Sequence, residues 1–166
     1  MRAPPTNTFP PWTVSISPDE IPETPYRDVV LGLDIHHPGD ELIEFAFESA
    51  RRCRSALRVI HAYRVTYDQP VEEPQVPVSG PELLAAQERA LQAMLRPWCE
   101  KFPEVPVRET VREGRAATAV VGASAGASLV VVGRRTRDSR LGAHIGAVTY
   151  AALHHVRCPV AVVPHN

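Results

Sequence analysis

The sequence predicts an α/β fold, in which a doubly wound, five-stranded parallel sheet carries helices on both faces. Short β-rich runs alternate with segments of helical periodicity, and this alternation is typical of βαβ units. The run LVVV (129–132) is apolar throughout, as expected of a strand that is buried on both faces. A chain of 166 residues, 44% of them hydrophobic, is enough for one core, so a single globular domain is expected.

The first half of the regular pattern predicts two strands and two helices. VVLGL (29–33) is the first β-rich run, and LRVIHAY (57–63) is the second. Between them, apolar residues recur at the spacing of one helix face, at Ile43, Ala46, Phe47, Ala50 and Cys53. Four prolines between positions 70 and 81 predict a long loop, and the next helix begins near Pro81, since proline is tolerated in a first helical turn.

The second half continues the alternation of helix and strand. The helix after Pro81 has one apolar stripe, formed by Leu84, Leu91, Leu95 and Trp98. VPVRETV (105–111) alternates apolar and polar residues, which predicts a strand with one wetter face. A third helix carries small and apolar residues at Ala116, Val120, Ala123 and Ala127. LVVV, a fourth helix and the strand PVAVV (159–163) complete the pattern.

The start of the chain differs from the rest in composition. Its first 25 residues contain seven of the 17 prolines and show little apolar periodicity. Residues 1–26 are therefore predicted to be a proline-rich arm or linker, and residues 27–166 the folded domain. Trp12, Val14 and Ile16 alternate with polar residues, which can add a strand to the sheet edge of a partner, but disorder is the favoured interpretation.

Composition and charge exclude several classes of protein. A formal net charge of −1 argues against binding nucleic acid through a broad basic surface. No apolar run approaches the roughly 20 residues that cross a bilayer, and the first segment lacks the hydrophobic core of a secretion signal. The three cysteines form no CxxC pair, so neither a zinc site nor a disulfide framework is indicated. The expected location is the cytoplasm.

The turn after LVVV has the chemistry of an anion site. If the strand ends at Gly133 and the next helix begins near Gly146, the free N–H groups of Ala147 and Val148 face the sheet edge. Ligands of doubly wound sheets bind beyond the carboxyl ends of the strands, which is where this turn lies. Glycine at positions 133 and 146 lets the backbone approach a phosphate, since a Cβ at either position would hold the phosphate away.

Three stretches give the chain from about Arg27 to Pro164 a resemblance to the universal stress protein family. They are VVLGLD, GASLVVVGRR and GAVTYAALHHVRCPVAVVP. The resemblance implies a Rossmann-like sheet with strand order 3-2-1-4-5, in a universal stress protein domain that covers residues 27–166. It also implies a cytoplasmic stress-response regulator that binds ATP, with Mg²⁺, and forms a homodimer through its last strand.

The nucleotide-binding motif of that family matches this sequence in part. The motif is a glycine, two residues, a second glycine, nine residues, then glycine followed by serine or threonine. It maps onto Gly133, Thr136, Gly146 and Ala147, so two of its four positions differ here. Thr136 can still donate a hydrogen bond, whereas Ala147 offers only its backbone N–H, and one lost hydrogen bond costs about 1 kcal/mol. Arg134 and Arg135 can compensate, because guanidinium groups pair well with phosphate oxygens.

The resemblance assigns further ligand contacts to the first two strands. Asp34 follows the first strand and is implied to contact the nucleotide, while its alternative role is that of a turn or N-cap residue in DIHHPGD. The backbone around His61 and Ala62 is implied to lie beside the adenine, although both residues can simply end a core strand. Asp34 and Asp138 can also hold magnesium beside the phosphates, or be ordinary loop acids.

Two other functions stay open. The chain can be an interaction module that has kept the fold and lost the nucleotide, which the residues Thr136 and Ala147 favour. It can also be an enzyme that uses ATP, but no base or nucleophile is identifiable. GASAG (122–126) matches the hydrolase pattern G-x-S-x-G, yet it ends a helix and precedes a strand, the reverse of the order that a nucleophilic Ser124 needs. No catalytic residue and no metal ligand are therefore predicted.

Overall fold

The computed structural model describes residues 13–15, 27–64, 80–135 and 146–165. Within these ranges strands and helices alternate from β2 onward. The elements are β1 (Thr13–Ser15), β2 (Val29–Gly32), α1 (Asp40–Cys53), β3 (Leu57–Tyr63), α2 (Gly80–Lys101), β4 (Val107–Glu113), α3 (Ala116–Ala123), β5 (Leu129–Arg135), α4 (Ala147–His155) and β6 (Val160–His165). No helix in these ranges is both long enough and apolar enough to cross a membrane.

The strands form one sheet in the order β1-β6-β5-β2-β3-β4. Strands β2 to β6 all run parallel, with Val29 of β2 beside Leu57 on one side and Leu129 on the other. The predicted five-stranded parallel sheet and its order 3-2-1-4-5 are confirmed, β2 being the first of those five strands. The chain winds in one direction from β2 to β4 and in the other direction through β5 and β6, so the switch point lies between β2 and β5.

Strand β1 corrects the favoured interpretation of the N-terminal arm. Thr13, Val14 and Ser15 pair antiparallel with Val162, Ala161 and Val160 of the same chain. Part of the alternating stretch thus adds a strand to a sheet edge, as the alternative interpretation predicted. The edge belongs to its own domain, however, and not to a partner. The physical reason is that β6 is apolar and would otherwise present an open row of backbone groups.

The core has two layers, one on each face of the sheet. On one face α1 and α2 bury a cluster around Phe47, which is fully buried and stacks on Phe102 with ring centroids 5.4 Å apart. On the other face α3 and α4 cover a smaller cluster that contains Val120 and Ala152. Burying a side chain as large as that of Phe47 contributes about 1.5–3 kcal/mol.

The central strand β5 is buried on both faces, as its apolar run predicts. Val131 belongs to the cluster under α1 and α2, whereas Val130 and Val132 belong to the cluster under α3 and α4. All three side chains have no exposed surface. The two layers therefore meet at this strand, which also carries the chain to the candidate ligand turn.

Several boundaries differ from the sequence pattern. Strand β5 continues to Arg135, beyond the predicted end at Gly133, and β6 is Val160–His165 rather than 159–163. Two further differences have local reasons. Helix α3 ends at Ala123 rather than near Ala127, because Gly126 has a positive φ of 72° that a right-handed helix cannot contain. Strand β4 begins at Val107 rather than at Val105, whose N–H donates to the carbonyl of Phe102 in the preceding turn. Neither difference changes the topology.

Candidate functional site

A cavity of about 1000 Å³ opens at the carboxyl ends of the parallel strands, beside the N-terminus of α4. It is lined by residues that follow or end β2, β3 and β5, and by the first turn of α4. This volume matches that of small-molecule sites, and the position is the switch point at which such sheets bind ligands.

The cavity brings together nine of the ten predicted nucleotide contacts. Its lining includes Asp34, His61, Ala62, Gly133, Arg134, Arg135, Gly146, Ala147 and Val148. The tenth, Thr136, lies outside the described residues, as does Asp138. The nine lining residues span more than 110 positions of the chain, from Asp34 to Val148, and they meet because the strands are parallel. Their contact with a nucleotide stays a prediction.

Asp34 holds the turn after β2. Its two carboxylate oxygens accept hydrogen bonds from the His36 backbone N–H at 3.0 Å and from the His37 ring nitrogen Nδ1 at 3.1 Å. The N-cap of α1 is Gly39, so the local role of Asp34 is that of a turn residue. Because each oxygen accepts one of these bonds and has two lone pairs, both keep capacity for a further donor in the cavity.

The same contacts keep the Asp34 carboxylate ionised. Partial burial on its own would raise the pKa of Asp34, but the hydrogen bonds from His36 and His37 and the charges of those two residues lower it below its usual value of 3.8. The carboxylate is half-exposed. It is therefore a fixed negative charge that faces the cavity at neutral pH.

His61 joins three elements beneath the cavity. Its side chain is only 2% exposed. Ring nitrogen Nδ1 lies 3.0 Å from the carbonyl of Leu33 at the end of β2, and Nε2 lies 3.1 Å from the side chain of Gln87 on α2. A carbonyl can only accept, so Nδ1 carries the proton. The side chain of His61 thus belongs to the floor of the site and ties the turn that carries Asp34 to β3 and α2.

Gly133 is required by its neighbours within the protein. A Cβ on Gly133 would overlap the ring of His165 and approach Leu42 Cδ2 to 2.9 Å. A Cβ on Gly39 would approach His165 Cβ to 2.6 Å. Glycine at 133 was predicted from the approach of a phosphate, and that reason is wrong. A Cβ at this position would occupy the space of the His165 ring, so this neighbour within the protein requires glycine.

The N-terminus of α4 has free space beside it within the described part of the chain, in contrast to Gly133. Gly146 is the N-cap and has no side chain that could accept a hydrogen bond from the first turn, and a Cβ built on it meets no atom of the described residues within 4 Å. The first helical residues, Ala147 and Val148, line the cavity. Since the first N–H groups of a helix have no intrahelical acceptor, this end of α4 presents donors and partial positive charge to the cavity.

Comparison with known proteins decides the family. The model of the universal stress protein family matches residues 25–164. The chain belongs to this family. One universal stress protein of Mycobacterium tuberculosis is 34% identical over 145 residues, which are 86% of this chain and 47% of that protein. A second from the same organism is 30% identical over 141 residues, or 83% and 44% of the two chains. The chain spans about half the length of these relatives.

Solved structures support the fold of this universal stress protein. The protein UspA of Lactobacillus plantarum superposes with a TM-score of 0.59 at 16% identity, over 86% of this chain and 98% of its own. A universal stress protein in complex with cAMP superposes with a TM-score of 0.55 at 20% identity, over 86% of this chain and all of its own. At such identities the likeness is one of fold.

Three polar residues of the universal stress protein site were missed by the sequence analysis. They are Gln87, Thr149 and His165. Thr149 is buried, and its hydroxyl donates to the Gly133 carbonyl at 3.0 Å, which attaches α4 to β5. The available signals were weak: Gln87 lies one helical turn before Leu91, and His165 follows Ala161 and Val163 on one face of β6. Periodicity predicts which face of a helix or strand such residues occupy, but it does not indicate which distant residue they contact.

Two other motifs do not add to the site. The Ser124 hydroxyl donates to the Val121 carbonyl at 2.6 Å at the end of α3, where it completes a helix terminus. His154 and His155 lie in the exposed last turn of α4. Throughout the described ranges there is no cluster of three or more histidine, cysteine or acidic side chains arranged to hold a metal ion.

Substituting alanine at the two glycines is expected to have unequal effects. Gly133→Ala forces the His165 ring to move and is expected to lower the free energy of unfolding by about 1–3 kcal/mol. Gly146→Ala meets open space and is expected to cost less than about 1 kcal/mol. Urea unfolding of both variants measures the difference. Equal costs would show that His165 does not restrict position 133.

His61 and Gln87 are expected to be energetically coupled. His61→Leu leaves the buried Leu33 carbonyl without this donor and is expected to cost about 1–3 kcal/mol of unfolding free energy. In a double-mutant cycle with Gln87→Leu, the coupling is expected to be about 0.5–3 kcal/mol. Gln92→Leu, an exposed position on the same helix, is the matched control and should combine additively with His61→Leu. Additivity for Gln87→Leu would refute the pairing.

Proposed function

We propose that this universal stress protein is a cytoplasmic stress-response regulator that binds ATP, together with Mg²⁺, in the cavity at the carboxyl ends of the strands. The observation that carries the proposal is the pairing of an open helix N-terminus at Gly146 with an ionised Asp34 carboxylate in one cavity. A site with both an anion-binding end and an anionic end suits a ligand that has phosphates and hydroxyl groups.

The lining divides into regions that suit the parts of ATP. The N–H groups of Ala147 and Val148 and the guanidinium groups of Arg134 and Arg135 would hold the phosphates. The Asp34 carboxylate would accept hydrogen bonds from ribose hydroxyls. It would not contact the phosphates directly, because like charges repel. The backbone of His61 and Ala62 would lie beside the adenine.

The relatives support the class of ligand. One universal stress protein of the same fold has been solved with cAMP, which is also an adenine nucleotide. Mg²⁺ would be held by the phosphates of ATP and would neutralise part of their charge, since Asp34, the carboxylate of the described lining, would face the ribose. Nucleotide occupancy would set the shape or the partner choice of a homodimer that forms through the last strand, β6.

Calorimetric titration of the ligand-free protein tests the proposal. ATP with Mg²⁺ is expected to bind at one site per chain with a micromolar Kd, worth about 8 kcal/mol, and AMP and cAMP serve as comparisons. Gly146→Leu should abolish binding without unfolding the protein, because its side chain enters the open cavity. The matched control is Gly122→Leu, which also meets open space but lies on α3 outside the cavity. Unchanged ATP affinity of Gly146→Leu would exclude this phosphate site.

The two roles of Asp34 are separable by two substitutions. Asp34→Asn keeps an oxygen that accepts the His36 N–H and so keeps the turn, but it removes the charge. It is expected to weaken ATP binding about 10–100-fold, since hydrogen bonds to charged groups contribute about 1.5–3 kcal/mol. Asp34→Ala should weaken binding and also lower the unfolding temperature. If Asp34→Asn binds ATP normally, the carboxylate serves the turn alone.

A second candidate function is an interaction module without a nucleotide. Ala147 favours it, because this position lacks the hydroxyl that the family motif places after its last glycine. Absence of heat and of thermal stabilisation with ATP, AMP and cAMP would establish this alternative. An ATP-hydrolysing enzyme is the weaker third candidate, since no sequence motif assigns a base or a nucleophile. Release of inorganic phosphate from the ATP complex would support it.

A further inference from the structure

The two edges of the sheet are protected in different ways. At one edge, β4 exposes the charged side chains of Arg108, Glu109, Arg112 and Glu113. Such charges oppose the pairing of an edge strand with another chain. At the other side, β6 has the sequence VAVVPH, without Lys, Arg, Asp or Glu, and its neighbour is β1. The unprotected edge of the parallel sheet is thus the one that the N-terminal strand covers.

The cover is short because of its sequence. Three residues of β1, Thr13 to Ser15, pair with Val160 to Val162. Pro11 and Pro18 flank this stretch in the sequence, and proline lacks the N–H that a ladder needs. A strand of this length forms few hydrogen bonds, and the entropy lost when it is ordered opposes them. The cover is therefore held weakly.

The chain that connects β1 to the domain is long enough for the cover to leave and return. Ser15 lies beside Val160, at the end of the sheet where Val29 begins β2, and β6 and β5 stand between the two strands. Three strand spacings of about 4.8 Å separate β1 from β2. The 14 residue steps from Ser15 to Val29 can span more than about 40 Å. The connecting sequence is therefore long enough for β1 either to pair with β6 or to leave it.

We propose that β1 is a displaceable cover of the β6 edge, and that a second copy of this chain occupies the same edge through its own β6 when β1 leaves. The inference rests on the homodimer of the proposed function and adds its control by the N-terminal segment. The occupant follows from geometry. The edge of β6 accepts an antiparallel strand from β1, and two identical strands related by a two-fold axis also pair antiparallel.

The second copy competes well for the edge because β6 is the longer strand. It offers the four residues Val160 to Val163 before Pro164, against the three of β1, and Val160, Ala161 and Val163 are anchored in the core. Pairing two β6 strands would join two sheets into one continuous sheet and would leave the charged β4 edges on the outside. The N-terminal segment of each chain would then be released.

Sedimentation velocity of the full chain and of a chain without residues 1–19 tests the inference. Removing the cover is expected to lower the dissociation constant of the dimer at least tenfold. Val14→Pro and the pair Thr13→Pro with Ser15→Pro keep the chain length. Since alternate residues of an antiparallel strand donate to its neighbour, one of these two variants removes the bonds to β6 and should act like the truncation. Val14→Thr, which keeps a β-branched residue and its N–H, is the matched control and should behave as the full chain.

The outcomes separate the cover from the dimer. Equal dissociation constants for the full and truncated chains would overturn the cover and leave the dimer in place. If neither chain forms a dimer up to 1 mM (about the limit of the method), both the β6 dimer and the competition for its edge are overturned. Hydrogen exchange of the Val160–Val163 amides provides a second reading. The exchange rate should increase in the truncated monomer at low protein concentration and decrease again as the dimer forms. An exchange rate that does not depend on protein concentration would also overturn the proposal.

Discussion

The parallel pairing of β2 with both β3 and β5 is the constraint on which the site depends. Strands that run parallel leave the sheet at the same edge, so the segments that follow them have to share one space. Asp34 follows β2, His61 and Ala62 lie near the end of β3, and the turn toward α4 begins at the end of β5. The cavity at the switch point is the consequence, because the connections leave in opposite directions and cannot fill the gap between them.

The two sides of the cavity differ in their hydrogen bonding. On the floor, buried polar side chains are bonded to backbone carbonyls: His61 to that of Leu33 and Thr149 to that of Gly133. Beside Gly146, the first N–H groups of α4 have no intrahelical acceptor, and the described residues leave space there. Groups that are already bonded hold the edge in shape, whereas groups without an intrahelical partner are those that a ligand can use. In the proposed site, these backbone donors would act at position 147, where alanine offers no hydroxyl.

The covered β6 edge and the ligand cavity belong to the same strand pair. His165 ends β6, lines the cavity and packs beside Gly133 of β5. Residues Val160 to Val162 of the same strand pair with β1. A change at the edge of β6 therefore takes place one strand away from the turn that is proposed to bind phosphate. Among the described residues, β1 covers that edge over three residues.

The amino-acid sequence determined the fold class, the five parallel strands and nine of the residues that line the cavity. The fold class and the strands follow from local periodicity, since a strand or helix records in its own residues which face is buried. The predicted lining residues come from the turn motif and from the family resemblance. Tertiary structure alone decided that β1 pairs with its own domain, that Gly133 makes room for His165, and that His61 reaches Gln87. Each of those contacts joins residues at least 26 positions apart, and a pattern that reports burial contains no information about which distant group shares the space.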